Sequence, residues 1–436
     1  MVKRFGIIGV VAVLLWGAVS CADKYEVSYS EREQLSLDAW VAKHINTPTE
    51  RAVRLDNGMW VEITDLGNTD EIATRDTSLW VKYNFTVRDL GGNVSFSRLE
   101  DVARWQGTYT RYTHYVPDYI FCGDYNSNLL EGTYYIMRNT LKDVAGNDVN
   151  LHVGTKGTIY MPSSLAYGAY GTSNDAGYGG QFSLDGNIPA ILDFEITYIT
   201  KDPVKTEEAE VDAYIAGDDS WQLVSDTLKY LYVDKRYRLP EGEEAYKGDS
   251  ILQDSTVKIW YVGRFLDGFV FDTNIDSVKR RVYGEVLTEG EAMEFTPPTG
   301  DESVSIDSST GTASGSSFIN AWNYTIPTLL QGQWARIICT SAYGYEGYGQ
   351  YRNGSTSTSG SSSDYFYYDY YNWYNNPYTS YYSGYYNSYY NSYYDYYNYY
   401  NYYNTSTSTD ESESTTTVYT EIQSYTPLIF EIYIEE

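Results

Sequence analysis

Histidine, cysteine and basic side chains are all scarce in this chain, and each shortage closes off a class of chemistry. Only His44, His114 and His152 occur among 436 residues, with no close spacing between them. Histidine metal centres and serine–histidine nucleophile systems therefore have little to work with. Cys122 and Cys339 lie far apart and in different repeats, so they read as buried thiols rather than a disulfide framework. Asp124-x-Asn126-x-Asn128 opens like a calcium loop, but Leu129 and Tyr135 occupy the glycine and glutamate places. Neither a metal nor a cofactor is expected. Lys and Arg number 30 against 59 Asp and Glu, a formal charge of −29. Such a field draws the chain neither to nucleic acid nor to an anionic membrane.

Long apolar runs are missing too, except at the start. Lys3 and Arg4 precede an apolar stretch from Phe5 to Trp16, and Gly17-Ala18-Val19-Ser20 leads into Cys21. The stretch is too short to span a bilayer and reads as a signal peptide over residues 1–20. Small residues before a cysteine resemble a bacterial lipobox, although Ala18 stands where that pattern usually has leucine. The expectation is a lipidated Cys21 and a lipid-anchored place in the bacterial cell envelope, touching membrane through the anchor only. An ordinary secretory signal with an incidental cysteine is the alternative.

What is abundant is repetition and tyrosine. Asp38-Ala39-Trp40-Val41-Ala42 pairs with Asp212-Ala213-Tyr214-Ile215-Ala216, both looking like short amphipathic helices. Gly58 to Ile63 resembles Leu228 to Val233, and Val81-Lys82-Tyr83-Asn84-Phe85 resembles Val257-Lys258-Ile259-Trp260-Tyr261. At the same offset of 176, Arg88, Leu90 and Gly92 fall on Arg264, Leu266 and Gly268, and Ala166-Tyr167-Gly168 falls on Ala342-Tyr343-Gly344. The closing strand Ile191 to Ile196 matches Pro427 to Ile432. These matches in order point to a duplicated domain, 35–200 and 207–436. About sixty residues are inserted before the last strand of the second copy. This insertion, within 345–415, is a Tyr/Asn/Ser tract without aliphatic residues, expected to be a disordered loop. Alternating strands, turn signals and little helix predict an α+β fold, each copy an antiparallel sheet curving around a short helix.

The second copy resembles the FKBP-type peptidyl-prolyl isomerases over Val257-Lys258-Ile259-Trp260-Tyr261-Val262-Gly263-Arg264-Phe265-Leu266-Asp267-Gly268-Phe269-Val270-Phe271-Asp272. The family pattern there is a strand Val-x-Val-x-Tyr-x-Gly, then a hairpin Leu-x-Asp-Gly-x-x-Phe-Asp. Phe318-Ile319-Asn320-Ala321-Trp322 resembles the family's Val-Ile-x-Gly-Trp, with Ala321 replacing the glycine. Gly332-Gln333-Trp334-Ala335, Ala342-Tyr343-Gly344 and Leu428-Ile429-Phe430-Glu431-Ile432 complete the family order. Gln423-Ser424 replaces the usual Pro-Pro, residues 299–317 lengthen the approach to the helix, and the tyrosine tract sits where the family's loop overhangs its pocket.

The resemblance implies two FKBP-like domains and X-Pro isomerisation in proline-containing polypeptides. It assigns Trp322 to the pocket floor and Tyr261, Phe271 and Phe430 to its walls. Ile319 and Ile422 fall at the rim, with Phe295 as a further wall. Tyr343 would offer a hydroxyl to the substrate carbonyl, and Asp272 would orient polar groups near the twisting bond. That chemistry needs no nucleophile or metal, only an aromatic cleft that favours the less dipolar twisted amide. In the first copy Ser95 and Phe96 fall at the positions of Phe271 and Asp272, and no aromatic stands near Val144 to Gly146, where the tryptophan is expected. That copy reads as a degenerate packing or binding module. The competing reading for the whole chain is an envelope lipoprotein that kept the fold for binding proteins or glycans and lost turnover.

Overall fold

A computed structural model describes residues 28–45, 51–75, 78–123, 130–171, 184–252, 255–297, 318–347, 349–350 and 420–435. The leader, Cys21, the stretch 299–317 and nearly all of the tyrosine tract lie outside the described residues. In the first copy the order is α1 (Tyr29–His44), β1 (Val53–Arg54), β2 (Trp60–Leu66), β3 (Trp80–Arg88), β4 (Val94–Ser97), α2 (Glu100–Gln106), β5 (Asp118–Phe121), α3 (Glu131–Arg138), a small ribbon β6 (Leu141–Lys142) and β7 (Asp148–Val149), β8 (Thr155–Met161) and β9 (Ala190–Thr200). The second copy follows with α4 (Pro203–Ile215), β10 (Gln222–Leu223), β11 (Leu231–Asp234), β12 (Val257–Arg264), β13 (Val270–Thr273), α5 (Asp276–Val282), β14 (Met293–Phe295), α6 (Asn320–Thr325), β15 (Trp334–Cys339) and β16 (Leu428–Ile434).

The fold is α+β, and its two sheets have one topology. Strands run β1-β2-β8-β9-β3-β4 with β5 on β3, and β10-β11-β15-β16-β12-β13 with β14 on β12. Every pairing is antiparallel and both sheets are open rather than closed barrels.

Each sheet is covered on both faces, which goes beyond a sheet curved around one helix. On the inner face α3 leans on β8 and α6 on β15. On the outer face Leu37 and Val41 of α1 pack on Tyr160 and Ile191, and Val211 of α4 packs on Ile338 and Ile429. Local signals start these outer helices. Ser28 and Glu31 form a reciprocal capping box, while Asp202 caps α4 ahead of Pro203 at its first turn. Val211 is fully buried, so Val211→Ala removes two methyl groups from this layer. It is expected to destabilise the second copy by about 2 kcal/mol, read as a lower urea midpoint at unchanged slope.

The shared topology also corrects the repeat register. Val87 and Gly263 are equivalent, and their β9 and β16 partners are Leu192 and Phe430. The same ion pair follows in each copy, Arg88 with Asp193 at 3.0 Å and Arg264 with Glu431 at 2.9 Å. The closing strands therefore align two residues away from the sequence match, and Phe194 stands at the place of Ile432. The turn after β8 behaves likewise. Gly171 N donates to Tyr167 O as Gly349 N donates to Tyr345 O, both at 3.1 Å. Tyr167 thus corresponds to Tyr345, and Leu165 to Tyr343. β2 and β11 are shifted in the same way, Val61 matching Val233 through their partners Ile159 and Ile337.

Candidate functional site

Tyr261 stands in the middle of β12, and its backbone is pinned on both sides. Its N–H donates to Asn274 Oδ1 at 2.7 Å, and its carbonyl accepts from Thr273 Oγ1 at 2.6 Å. Asn274 Nδ2 donates in turn to the carbonyls of Ile259 and Glu291, each at 2.9 Å. The Tyr261 hydroxyl donates to Asp272 Oδ2 at 2.6 Å. Burial is the main force pushing the phenol far above its ordinary range, with the Asp272 carboxylate adding to it. The hydroxyl therefore stays protonated and aimed at an exposed carboxylate.

The other rings close around it. Trp322 meets Tyr261 edge-on at 5.1 Å between centroids and Phe430 edge-on at 5.5 Å. Phe271 lies at right angles to Phe430 at 5.8 Å. Gly263 makes that approach possible, because a Cβ there would stand 2.6 Å from Phe271 Cζ. Phe318 stacks on the Trp322 indole at 5.6 Å. Trp322, Tyr261, Phe271 and Phe430 are each less than a tenth exposed, and Trp322 Nε1 is buried with no hydrogen-bond partner among the described residues.

The structure brings Tyr261, Phe271, Asp272, Trp322 and Phe430 together. Ile422 is buried in the same apolar cluster, and Ile319 caps the start of α6 at its border. Phe295 is fully buried opposite Val257, where its ring meets Phe318 and serves the core. Tyr343 turns toward Tyr324, ring to ring at 6.4 Å. Tyr345, two residues on, and Tyr283 both act on the Tyr261 hydroxyl through their fields. The Ala-Tyr-Gly match in the sequence points to Tyr343, whereas the residue equivalent to Tyr167 in the folded turn is Tyr345.

In the first copy the same positions hold a different set. Phe85 replaces Tyr261, Leu192 replaces Phe430, and Ser95 and Phe96 replace Phe271 and Asp272. Leu130 and Ile319 begin the equivalent helices, so Thr133 stands for Trp322. The tryptophan position is therefore on α3, well before Val144. These exchanges are coupled by volume. With serine at position 95, position 87 holds valine, where the second copy needs Gly263 beneath Phe271. A Cβ on Gly132 would stand 2.4 Å from Met161 Sδ, so methionine sulfur fills space that the second copy gives to Trp322 and Cys339. Tyr167 bonds Ser95, and burial pushes its hydroxyl up to about 12. Cys122 and Cys339 are both buried thiols.

No family model matches the chain, and no curated protein matches it. Several solved structures are similar to it. The three FKBP domains of wheat FKBP73 are 11% identical, with 87% of this chain and 95% of that chain covered, at a TM-score of 0.23. A peptidyl-prolyl cis-trans isomerase from Pseudomonas syringae pv. tomato is 14% identical, covering 39% of this chain and 93% of that one, at a TM-score of 0.26. FkpA from Escherichia coli is 12% identical, covering 45% of this chain and 71% of that one, at a TM-score of 0.26. What this chain's aromatic cluster can do follows from its own side chains.

Proposed function

We propose that the aromatic cluster of the second copy is a peptidyl-prolyl cis-trans isomerase site that acts on exported polypeptides. The observation carrying this reading is the buried Tyr261 hydroxyl held on Asp272 at 2.6 Å beside Trp322, Phe271 and Phe430. Rotation about an X-Pro bond meets a barrier of about 18–20 kcal/mol because twisting destroys amide resonance. The twisted form is less dipolar, so an apolar aromatic wall binds it in preference to the planar ground state. Trp322 would lie under the proline ring, with Phe271 and Phe430 as walls. Asp272 and Tyr261 would orient the polar groups flanking the rotating bond, with Tyr343 or Tyr345 giving a hydroxyl to a carbonyl. No group needs to change its protonation state.

Export rests on the leader. A lipidated Cys21 would tether the chain in the cell envelope, and among the described residues no helix is long and apolar enough to cross a membrane. The second reading, a non-catalytic envelope module that binds proteins or glycans, is favoured by the closure of the cluster, with Trp322 only 4% exposed and stacked under Phe318.

Isomerisation of an X-Pro tetrapeptide by the full chain separates the two. Acceleration above the uncatalysed rate is expected, falling about tenfold in Asp272→Ala, the scale of one charge-assisted hydrogen bond. A chain that binds the tetrapeptide without accelerating its exchange would establish the binding module instead.

A further inference from the structure

The first copy has exchanged its pocket residues, yet among its contacts with the second copy two sets lie beside the aromatic cluster. Arg98 is 3% exposed and donates to Glu421 in a fork, 2.9 Å to Oε2 and 3.2 Å to Oε1, while also bonding Asp118 of its own copy. Glu421 adjoins Ile422, which is buried against the same core as Trp322 and Phe430. Next to it, Thr420 Oγ1 donates to the Tyr112 carbonyl at 2.6 Å. The second grip is His114, whose ring lies over Phe265 at 4.7 Å and Phe269 at 4.6 Å, with Nε2 2.7 Å from Asp267 Oδ2. Phe265 in turn touches Phe271 at 5.0 Å.

The repeat register makes the first grip informative. Thr86 pairs with Ser97 as Val262 pairs with Thr273, so Arg98 stands at the place of Asn274. In the second copy that side chain turns inward and pins Tyr261. In the first copy, which has no tyrosine at that strand position, it reaches outward to the neighbouring domain. A position that holds the pocket from within in one copy holds it from outside in the other.

We propose that the first copy is a brace for the second copy's pocket, with Arg98 and His114 as positioning residues that fix the 420–425 loop and the 265–269 hairpin. This rests on the isomerase reading only for its kinetic consequence. The test uses the full chain and two readouts, amide hydrogen exchange and the KM-against-kcat split for an X-Pro tetrapeptide.

Arg98→Met is expected to speed exchange over 420–425 by about tenfold or more, since it strands two carboxylates. Exchange over β15 (Trp334–Cys339) should not change. Arg98→Lys, which keeps the charge, should restore part of the protection. His114→Ala, a milder change, should loosen 265–269 alone. KM should rise severalfold with kcat little altered, because the loops position the substrate and do not supply the reacting wall. Unchanged exchange in both Arg98→Met and His114→Ala would overturn the brace, as would faster exchange with unchanged KM. A wild-type chain without isomerase activity would sink the isomerase reading while the exchange data still decide the brace.

Discussion

Trp322→Ala is expected to cost the second copy about 3–5 kcal/mol and to abolish isomerisation together with it. The indole is 4% exposed and touches Tyr261, Phe318 and Phe430, so its removal opens a cavity between two strands and a helix. Only six residues long, α6 has little propensity to refill that space by moving as a unit. One effect runs the other way. The indole N–H is buried without a partner among the described residues, which already costs about 1–3 kcal/mol. Trp322→Phe relieves that donor while keeping an aromatic floor, so its net loss should be much the smaller of the two. Urea unfolding followed by circular dichroism gives the stabilities, and the tetrapeptide assay below each transition gives the activities. Equal losses in Trp322→Ala and Trp322→Phe would show that the ring floor is not what holds this copy together.

The hairpin around Asp267-Gly268 and the duplication were both legible in the sequence, because Gly268 and Gly92 share a left-handed turn that few other residues tolerate. The exact pairing of the closing strands was not. A strand slipped by two residues keeps every side chain on its original face, so Phe194 and Leu192 compete for the place of Phe430 on nearly equal terms. Only the strand partners, Val87 and Gly263, break the tie. The tryptophan-equivalent position failed for another reason. A constant offset carried across loops of unequal length overshoots, and Thr133 gives no aromatic signal to correct it. The outer helices were visible as helices, but their role lay in the strands. Ile159-Tyr160-Met161 and Ala190-Ile191-Leu192 are buried without alternation, the mark of a sheet covered on both faces.

The chain is expected to lose stability as pH rises through the window from about 4.5 to about 7, with Glu207 as a cause. This carboxyl sits on α4 with 2% exposure and accepts from Ser341 N at 2.8 Å and from Ser341 Oγ at 2.9 Å. Glu33 makes the same two contacts with Ser163 in the first copy, so the clamp belongs to the fold. Burial pushes Glu207 up to about 7 from an ordinary value of 4.5, opposed by the two serine bonds and assisted by Glu208 and Glu210. The Cys339 thiol on β15 and the Tyr119 hydroxyl on β5 also feel this carboxylate, and Lys82 answers Glu210 at 3.4 Å. The sign follows from proton binding: the folded chain holds this proton more tightly than the unfolded one. The contribution is therefore complete below about pH 4.5 and gone above about pH 7, a span of about 3 kcal/mol. Carboxylates held below their ordinary values, such as Asp38, Asp218 and Asp267, act in the opposite sense and at lower pH. Glu207→Gln isolates the effect. Its amide oxygen can accept from Ser341 N, its NH₂ can donate to Ser341 Oγ, and no buried charge develops. At pH 8 the variant should be the more stable by up to about 3 kcal/mol, and at pH 4.5 the two should coincide, by urea melts across the range. Parallel pH curves would remove Glu207 as a cause. Ser341 opens the turn that carries Tyr343 and Tyr345, so the same titration should loosen the turn nearest the aromatic cluster, and Glu207→Gln should hold it fast.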